Sequence, residues 1–378
     1  MMPPIQDNTG LLGEELGEIN TLLKQVLDVP MPAELKAKAI AMLNRIKKLI
    51  QYGSFFKEFE PIQLYLSWVL KIPWGIYTAD NLDITFVKEQ LDKTHYGLNE
   101  VKERILEFIA ILNLLSKQLQ IPGTSQNTVK GGSYQAKAPI ICFVGVQGIG
   151  KTSIAKSIAT ALGRKFNRIS LGGLADIKEL RGVNKSIPNA EPGQVIKSFI
   201  RTGVMNPLIL FDELDKVSEG GSVNADIMAA LLEILDPEQN TGFIDHYLDF
   251  PVDLSKCVFI ATANNLGGIS AALLDRLEII RMTSYTDDEK IHIAKDYLLP
   301  KILEQCGMKK EQLVVAEDVW PLIVRPFGFD AGMRQLERNL NQVARKVAKR
   351  ILVEGVSGYQ VTTVNFREFF PQDIGIYS

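Results

Sequence analysis

Residues Gly145–Thr152 read GVQGIGKT, which satisfies the pattern GxxxxGK[ST] in full. The apolar run PIICFVG at 139–145 precedes it, and the helix-forming SIAKSIATAL follows. Strand, glycine turn and helix in that order leave little choice of fold. The turn aims its N–H groups inward, and the helix adds its positive dipole end. Such a turn accepts phosphate groups. Gly145, Val146, Gln147, Gly148, Ile149, Gly150, Lys151 and Thr152 are the candidate contacts, with Ser153 opening the helix. Lys151 is expected to reach the β- and γ-phosphates, and Thr152 to hold Mg²⁺.

The surroundings extend the argument. Further β-rich runs are KFNRISL (165–171), PLILFDE (207–213), CVFIATAN (257–264) and EIIRM (278–282), with amphipathic helices between them. Continuous apolar strands alternating with helices predict an α/β domain with a parallel sheet covered on both faces. Before it, Leu12, Leu16, Ile19, Leu23 and Val26 recur at helical spacing, as do Leu35, Ala39, Leu43, Ile46 and Ile50. Pro30 and Pro32 separate these two helices, Gly53 stops the second, and a third is predicted from Phe55 to Leu70. Two more helices are predicted within 82–117, parted at His95–Leu98. The Gly-, Ser-, Thr- and Gln-rich stretch 118–138 has no apolar period and reads as an exposed mobile loop. After Tyr285 the chain turns helical again, at 287–304, 316–325 and 330–353. The expected organisation is a helical N-terminal region (1–88), the α/β nucleotide domain (89–285), a helical lid (286–356) and a tail (357–378).

Three further segments carry chemistry. LILFDELDK ends an apolar strand in Asp212 and Glu213, about 60 residues after the glycine turn. Asp212 is the expected Mg²⁺ partner and Glu213 the residue that polarises an attacking water. In FIATAN, Asn264 at a strand tip either orients the same water and senses the γ-phosphate or simply forms a turn. In LLDR, Arg276 either stabilises transition-state charge, in cis or across a subunit interface, or makes a surface ion pair.

Composition narrows the class. Lys+Arg 42 against Asp+Glu 44 gives a net charge of −2, so a strongly basic nucleic-acid binder is not expected; the basic residues Arg345, Lys346, Lys349 and Arg350 read as a solvated helix face. Cys142, Cys257 and Cys306 are scattered and form neither a disulfide framework nor a CxxC site. No run of eighteen apolar residues and no signal-like start is present, which makes a cytoplasmic protein without membrane partners the expectation.

These elements in this order, followed by a helical domain, resemble the AAA+ ATPases. The longer strings LDKTHYGLNEVKERILEFIA, RKFNRISLGGLADIKELRG, LLEILDPEQNTGFIDHYLDFPVDLS, LLDRLEIIRMTSYTDDEKIHIAKDYLLPK and AGMRQLERNL resemble the ATPase module of the Lon family of ATP-dependent proteases, as does YLSWVLKIPW at 65–74. The resemblance implies that Tyr96 and Gly97 line the adenine side. It also implies that Arg276 is an arginine finger reaching a neighbouring subunit's nucleotide, and that Arg334 is the second sensor on the lid. It implies a ring homo-oligomer, a hexamer, acting on unfolded or damaged polypeptide.

The chain departs from that family in three places. Val146 and Gln147 stand where two prolines are usual. Ile187 and Pro188 stand where an aromatic pair would line the axial pore, which puts substrate pulling in question. About 25 residues follow the last lid helix, so no Ser–Lys dyad is carried over and no protease activity is expected of this chain alone. The expectation is Mg²⁺-dependent ATP hydrolysis coupled to polypeptide remodelling. Its rivals are the ATPase fragment of a Lon protease whose protease domain is missing or supplied by a separate subunit, and a nucleotide-dependent scaffold without mechanical work.

Overall fold

The structure is a computed structural model that describes residues 9–50, 56–118, 140–218, 221–324 and 332–369. At its centre is a five-stranded parallel sheet in the order β2-β3-β6-β1-β7. The strands are β1 (Ile140–Val144), β2 (Phe166–Ser170), β3 (Leu208–Asp212), β6 (Val258–Ala263) and β7 (Leu277–Arg281). All five lie where the apolar runs predict them. Between β3 and β6 a small antiparallel hairpin pairs β4 (Phe243–Asp245) with β5 (Phe250–Val252), a pair too short to leave a periodic signal.

Alternate residues of the sheet feed two separate cores, as the period of 2 requires. Cys142, Ile209, Phe211, Phe259 and Ala261 join the first. Ile141, Phe143, Leu208, Leu210, Val258 and Ile260 join the second. Helix α6 (Lys151–Ala161) covers the second face, together with α4 (Ile84–Thr94) and α5 (Asn99–Gln118), which supply Val87, Leu91, Ile105 and Ile109. Asp83 caps α4 by accepting the N–H groups of Thr85 and Phe86. The boundary expected at 88/89 therefore cuts a helix that belongs, from its cap onward, to the nucleotide domain.

Helices α1 (Thr9–Asp28), α2 (Ala33–Ile50) and α3 (Phe56–Lys71) form the N-terminal region. Ile19, Val26, Leu35, Ala39, Leu43 and Ile46 of the predicted stripes are buried, and they run into the first core. The side chains of Leu12 and Ile50 lie outside the described residues, as do Gly53, Phe55 and nearly all of the loop expected at 118–138. Tyr65 donates its hydroxyl to Leu248 O at 2.9 Å, and Lys38 pairs with Asp249 at 3.0 Å, so these helices are tied to the β4–β5 turn.

The lid begins with one helical run from Asp287 to Gln305, made of α11 (Asp287–Ile293), a π turn (Ala294–Leu298) and α12 (Leu299–Gln305). Thr286 opens it with a reciprocal capping box to Glu289. Helices α13 (Trp320–Val324) and α14 (Arg334–Glu354) complete the bundle, the first preceded by a strand, β8 (Leu313–Val315), in the gap between two predicted helices of a lid expected to be helical throughout. The segment expected as a tail is partly lid. Residues Tyr359–Val361 form β9, parallel to β8, and Phe366–Phe369 form a short helix. Phe369 is 1% exposed within the lid core, because it fills the space beside Tyr359 that the bundle leaves open. Among the described residues no helix is long and apolar enough to cross a membrane.

Truncating so buried an aromatic ring leaves a cavity, so Phe369→Ala should cost about 3–5 kcal/mol of lid stability. Urea unfolding followed by circular dichroism checks this; a loss below about 1 kcal/mol would return the segment to the status of a tail.

Candidate functional site

The parallel strands bring their carboxyl ends to one edge, and the chemistry collects there. After β1 the chain turns through Gly148 (φ 83°) and Gly150 (φ 103°), a left-handed path that only glycine follows without strain. Gly150 is the N-cap of α6, so the first N–H groups of that helix are open to an anion. Lys151 folds back over its own loop. Its ammonium donates to Gly145 O, to Val146 O at 3.0 Å and to Asn264 Oδ1 at 2.9 Å. Burial pulls the Lys151 pKa below the usual lysine value, with Asp212 and Asp215 acting in the opposite sense.

The acidic pair is held firmly. Asp212 accepts from Thr152 Oγ1 at 3.3 Å on one oxygen, which also forms an ion pair with Arg168 Nε at 2.5 Å, and from the Thr262 hydroxyl on the other. Glu213 has φ 64°, a left-handed backbone that costs a non-glycine residue about 1–3 kcal/mol and is retained mainly at working sites. Its N–H donates to Thr262 Oγ1 at 3.1 Å. Asn264 is oriented from behind: buried Asp215 accepts its main-chain N–H at 3.0 Å and its amide Nδ2–H at 3.2 Å. The amide oxygen is thereby turned to Lys151.

The lid closes the other side. Met333 N–H donates to Gly148 O at 2.9 Å, and a Cβ on Gly332 would meet Gln147 O at 2.4 Å, so only glycine allows this approach. Arg334, the first residue of α14, then points into a cleft of roughly 210 Å³ that Gln147, Gly148, Lys151, Thr152, Asp212, Glu213 and Asn264 also line. Tyr285 donates its hydroxyl to Ile149 O at 3.1 Å, and burial pushes its pKa up to about 12.

The residues expected on the base side lie between loop and lid. Tyr96 stacks on His292 of α11 with centroids 4.9 Å apart, and Gly97 (φ 63°) lies against Glu289. Beside them His95 places Nε2 at 3.2 Å from Ser153 Oγ, linking this segment to the start of α6. Burial first, and the nearby Lys102 charge second, lower the His95 pKa to about 4, so its ring is neutral.

Arg276 is not brought to this cleft. It donates to Ala272 O at 3.0 Å and pairs with Asp236 at 2.8 Å. Main-chain donation from Glu238, and then Arg276, holds the Asp236 carboxyl below its usual range. Ile187 is 50% exposed on the loop between Gly182 and Gly193, with Lys185 of that loop 3.3 Å from Asp249 and 4.9 Å from the Tyr65 ring. Sequence reasoning missed Thr262, Asp215, Arg168 and His95. Each had a faint signal: a polar residue inside an apolar strand, a second aspartate in DELDK, an arginine beside ISLGG, and a histidine next to the tyrosine–glycine pair.

The donor set fits the groups the loop motif implies. Thr152 and Asp212 present hard oxygens side by side, as a magnesium ion prefers, and Lys151 and Arg334 present cations across from them. Two family models match the chain. One describes the ATPase family associated with various cellular activities (AAA) and covers residues 141–285; the other describes the Lon protease AAA+ ATPase lid domain and covers residues 304–359. Lon protease 1 of Bacillus subtilis is 41% identical over 376 residues, which is 100% of this chain and 46% of that protein. The Lon protease of Dictyoglomus thermophilum is 43% identical over 350 residues, 93% of this chain and 41% of its own length. Lon protease 2 of Thermus thermophilus is 42% identical, covering 91% and 42% respectively. The chain spans less than half the length of these relatives.

The neutral His95 has a measurable consequence. Its folded pKa lies below the ordinary 6.5, so an unfolded chain takes up the proton first and stability is lost as pH falls from about 6.5 towards about 4. His95→Gln should remove that component. Thermal melts between about pH 7 and pH 4.5 should fall less steeply for the variant, and parallel slopes would show that His95 is not held neutral.

Proposed function

We propose, for a chain that belongs to the Lon family of AAA ATPases, that this cleft binds Mg²⁺–ATP, hydrolyses it to ADP and phosphate, and couples the cycle to remodelling of polypeptide by a ring of copies. The observation that carries the reading is the convergence of Lys151, Thr152, Asp212, Glu213, Asn264 and Arg334 on one cleft.

Thr152 and Asp212 would hold a magnesium ion, which when bound would supply positive charge to the phosphate under attack. Lys151 exchanges its carbonyl partners for phosphate oxygens. The N–H groups at the start of α6 hold the same phosphates. Glu213 accepts hydrogen bonds from the attacking water and orients it, and Asn264 fixes the far side of that water. Tyr96 and Gly97 receive the adenine. Arg334 reads the phosphate from the lid, so ATP and ADP favour different lid positions by differential contact.

Arg276 serves a neighbouring copy in this reading. Its position outside the cleft of its own chain, paired with Asp236, supports action in trans. The ring is a hexamer by resemblance, its substrate an unfolded or damaged polypeptide, and its place the cytoplasm. ATP hydrolysis, and no peptidase step, is assigned to these residues. A protease domain, in the same longer chain or in a separate subunit, would make the assembly an ATP-dependent peptidase. A second reading, a nucleotide-dependent scaffold, is favoured by one observation: the loop bearing Ile187 lacks an aromatic grip and is tethered through Lys185.

Glu213→Gln should keep ATP binding and lower turnover by about 10²–10⁴-fold, because it removes the water's partner and spares Asp212. Loss of affinity in that variant would refute the division of labour. Arg276→Ala should slow hydrolysis at nearly unchanged nucleotide affinity. Mixing it with Lys151→Ala, itself unable to turn over ATP, should restore part of the rate, since some interfaces then join an intact loop to an intact arginine. No recovery in demonstrated mixed rings would place the arginine in cis. For the two readings of output, ATP-driven unfolding of a tagged substrate decides: Ile187→Ser should weaken it and Ile187→Tyr preserve it, at unchanged ATP turnover. A wild type that turns over ATP and unfolds nothing would leave the scaffold.

A further inference from the structure

Every residue of β6 is buried, yet its fifth position is a threonine. Thr262 is 0% exposed. A hydroxyl in such a strand costs stability unless it is paired, and valine would fill the same space without that cost. The partners of Thr262 both belong to the acidic pair at the end of β3. Its hydroxyl donates to Asp212 Oδ1, and its oxygen accepts the N–H of Glu213 at 3.1 Å. A hydroxyl has one proton and two lone pairs, so donation to Asp212 fixes its rotation and leaves the oxygen free for Glu213. The pairing of Phe211 with Ala261 puts the next residues, Asp212 and Thr262, at the same level of the neighbouring strands.

We propose that Thr262 is a positioning residue that registers the two carboxylates against each other. Through Oδ1 it sets the rotation of the Asp212 carboxylate, whose Oδ2 faces Thr152 and Arg168. Through the Glu213 N–H it holds that residue in its left-handed conformation at φ 64° and so sets the exit direction of the Glu213 side chain. One hydroxyl thus ties the metal-holding group to the water-orienting group. Its loss would free both at once, while Lys151 and the loop, which it does not touch, keep their geometry.

The assignment rests on the reading of the cleft as an ATP-hydrolysing site, and the test separates the two. Binding of a fluorescent ADP analogue is measured with and without Mg²⁺, alongside ATP turnover across Mg²⁺ concentrations, for wild type, Thr262→Val and Thr262→Ser. Thr262→Val should bind the analogue without Mg²⁺ as wild type does. It should need about tenfold to a hundredfold more Mg²⁺ for the metal-dependent part of binding and lose turnover by a similar factor, as expected when a hydrogen bond to a charged group is lost. Thr262→Ser should restore both. Equal Mg²⁺ requirements in wild type and Thr262→Val, or equal defects in the valine and serine variants, would overturn the proposal, since in the second outcome keeping the hydroxyl restores nothing. If Thr262→Val does not fold, Thr262→Ser against Thr262→Ala gives the same comparison, because these two differ by the hydroxyl alone. A wild type that binds the analogue in a Mg²⁺-dependent way and never turns over ATP would sink the hydrolysis reading and leave the binding comparison to judge Thr262.

Discussion

A lysine ammonium held at the carboxyl edge of a parallel sheet is the constraint on which the site depends. Lys151 is mostly removed from water, so its charge must be met by oxygen acceptors or its burial would not be tolerated. The acceptors come from two elements, its own loop and Asn264 just after β6, and Asn264 is in turn oriented by the buried Asp215 after β3. Satisfying one cation thus draws β1, β3 and β6 into a common register at their ends. That shared edge is also where a phosphate would replace the loop carbonyls without moving the strands.

The acidic side is built differently. Asp212 is saturated by hydroxyls and a guanidinium, and Glu213 is held in a conformation its own side chain disfavours. Strain of that kind persists only where neighbours over-determine the backbone. The neighbours here are Thr262 on the adjacent strand and the glycine-bearing turn after β2, where a Cβ on Gly172 would come within 2.8 Å of Glu213 Oε2. The sheet's two halves therefore serve distinct purposes: β1 and α6 present donors, and β3 with β6 present aligned acceptors.

Much of this was legible in the sequence, for physical reasons. Strands buried on both faces leave unbroken apolar runs, and GVQGIGKT and FDELDK fix which ends carry polar groups. Tyr359–Val361 and Phe366–Phe369 were illegible because a three-residue strand and a one-turn helix have no period to detect; only the burial of Phe369 reveals them as lid. The expected boundary at 88/89 falls inside the helix Ile84–Thr94, since an amphipathic stripe does not say which core it faces. Thr262, Asp215 and His95 escaped for another reason. Their roles come from neighbours 49 to 58 residues away in the chain, a relation that no local pattern encodes.

The join between Met333 and Gly148 turns α14 into a lever. The helix has 21 residues, with Arg334 at the cleft and Glu354 at the far end, and it meets the phosphate-binding turn at its first turn only. A helix of that length reaches about 30 Å, so a tilt of about 10° at the fulcrum sweeps its tip through about 5 Å. Leu352 and Val353 sit on that tip, 85% and 74% exposed. In the proposed cycle, a difference of one phosphate at the cleft would be amplified into a stroke at an apolar fingertip far from the chemistry.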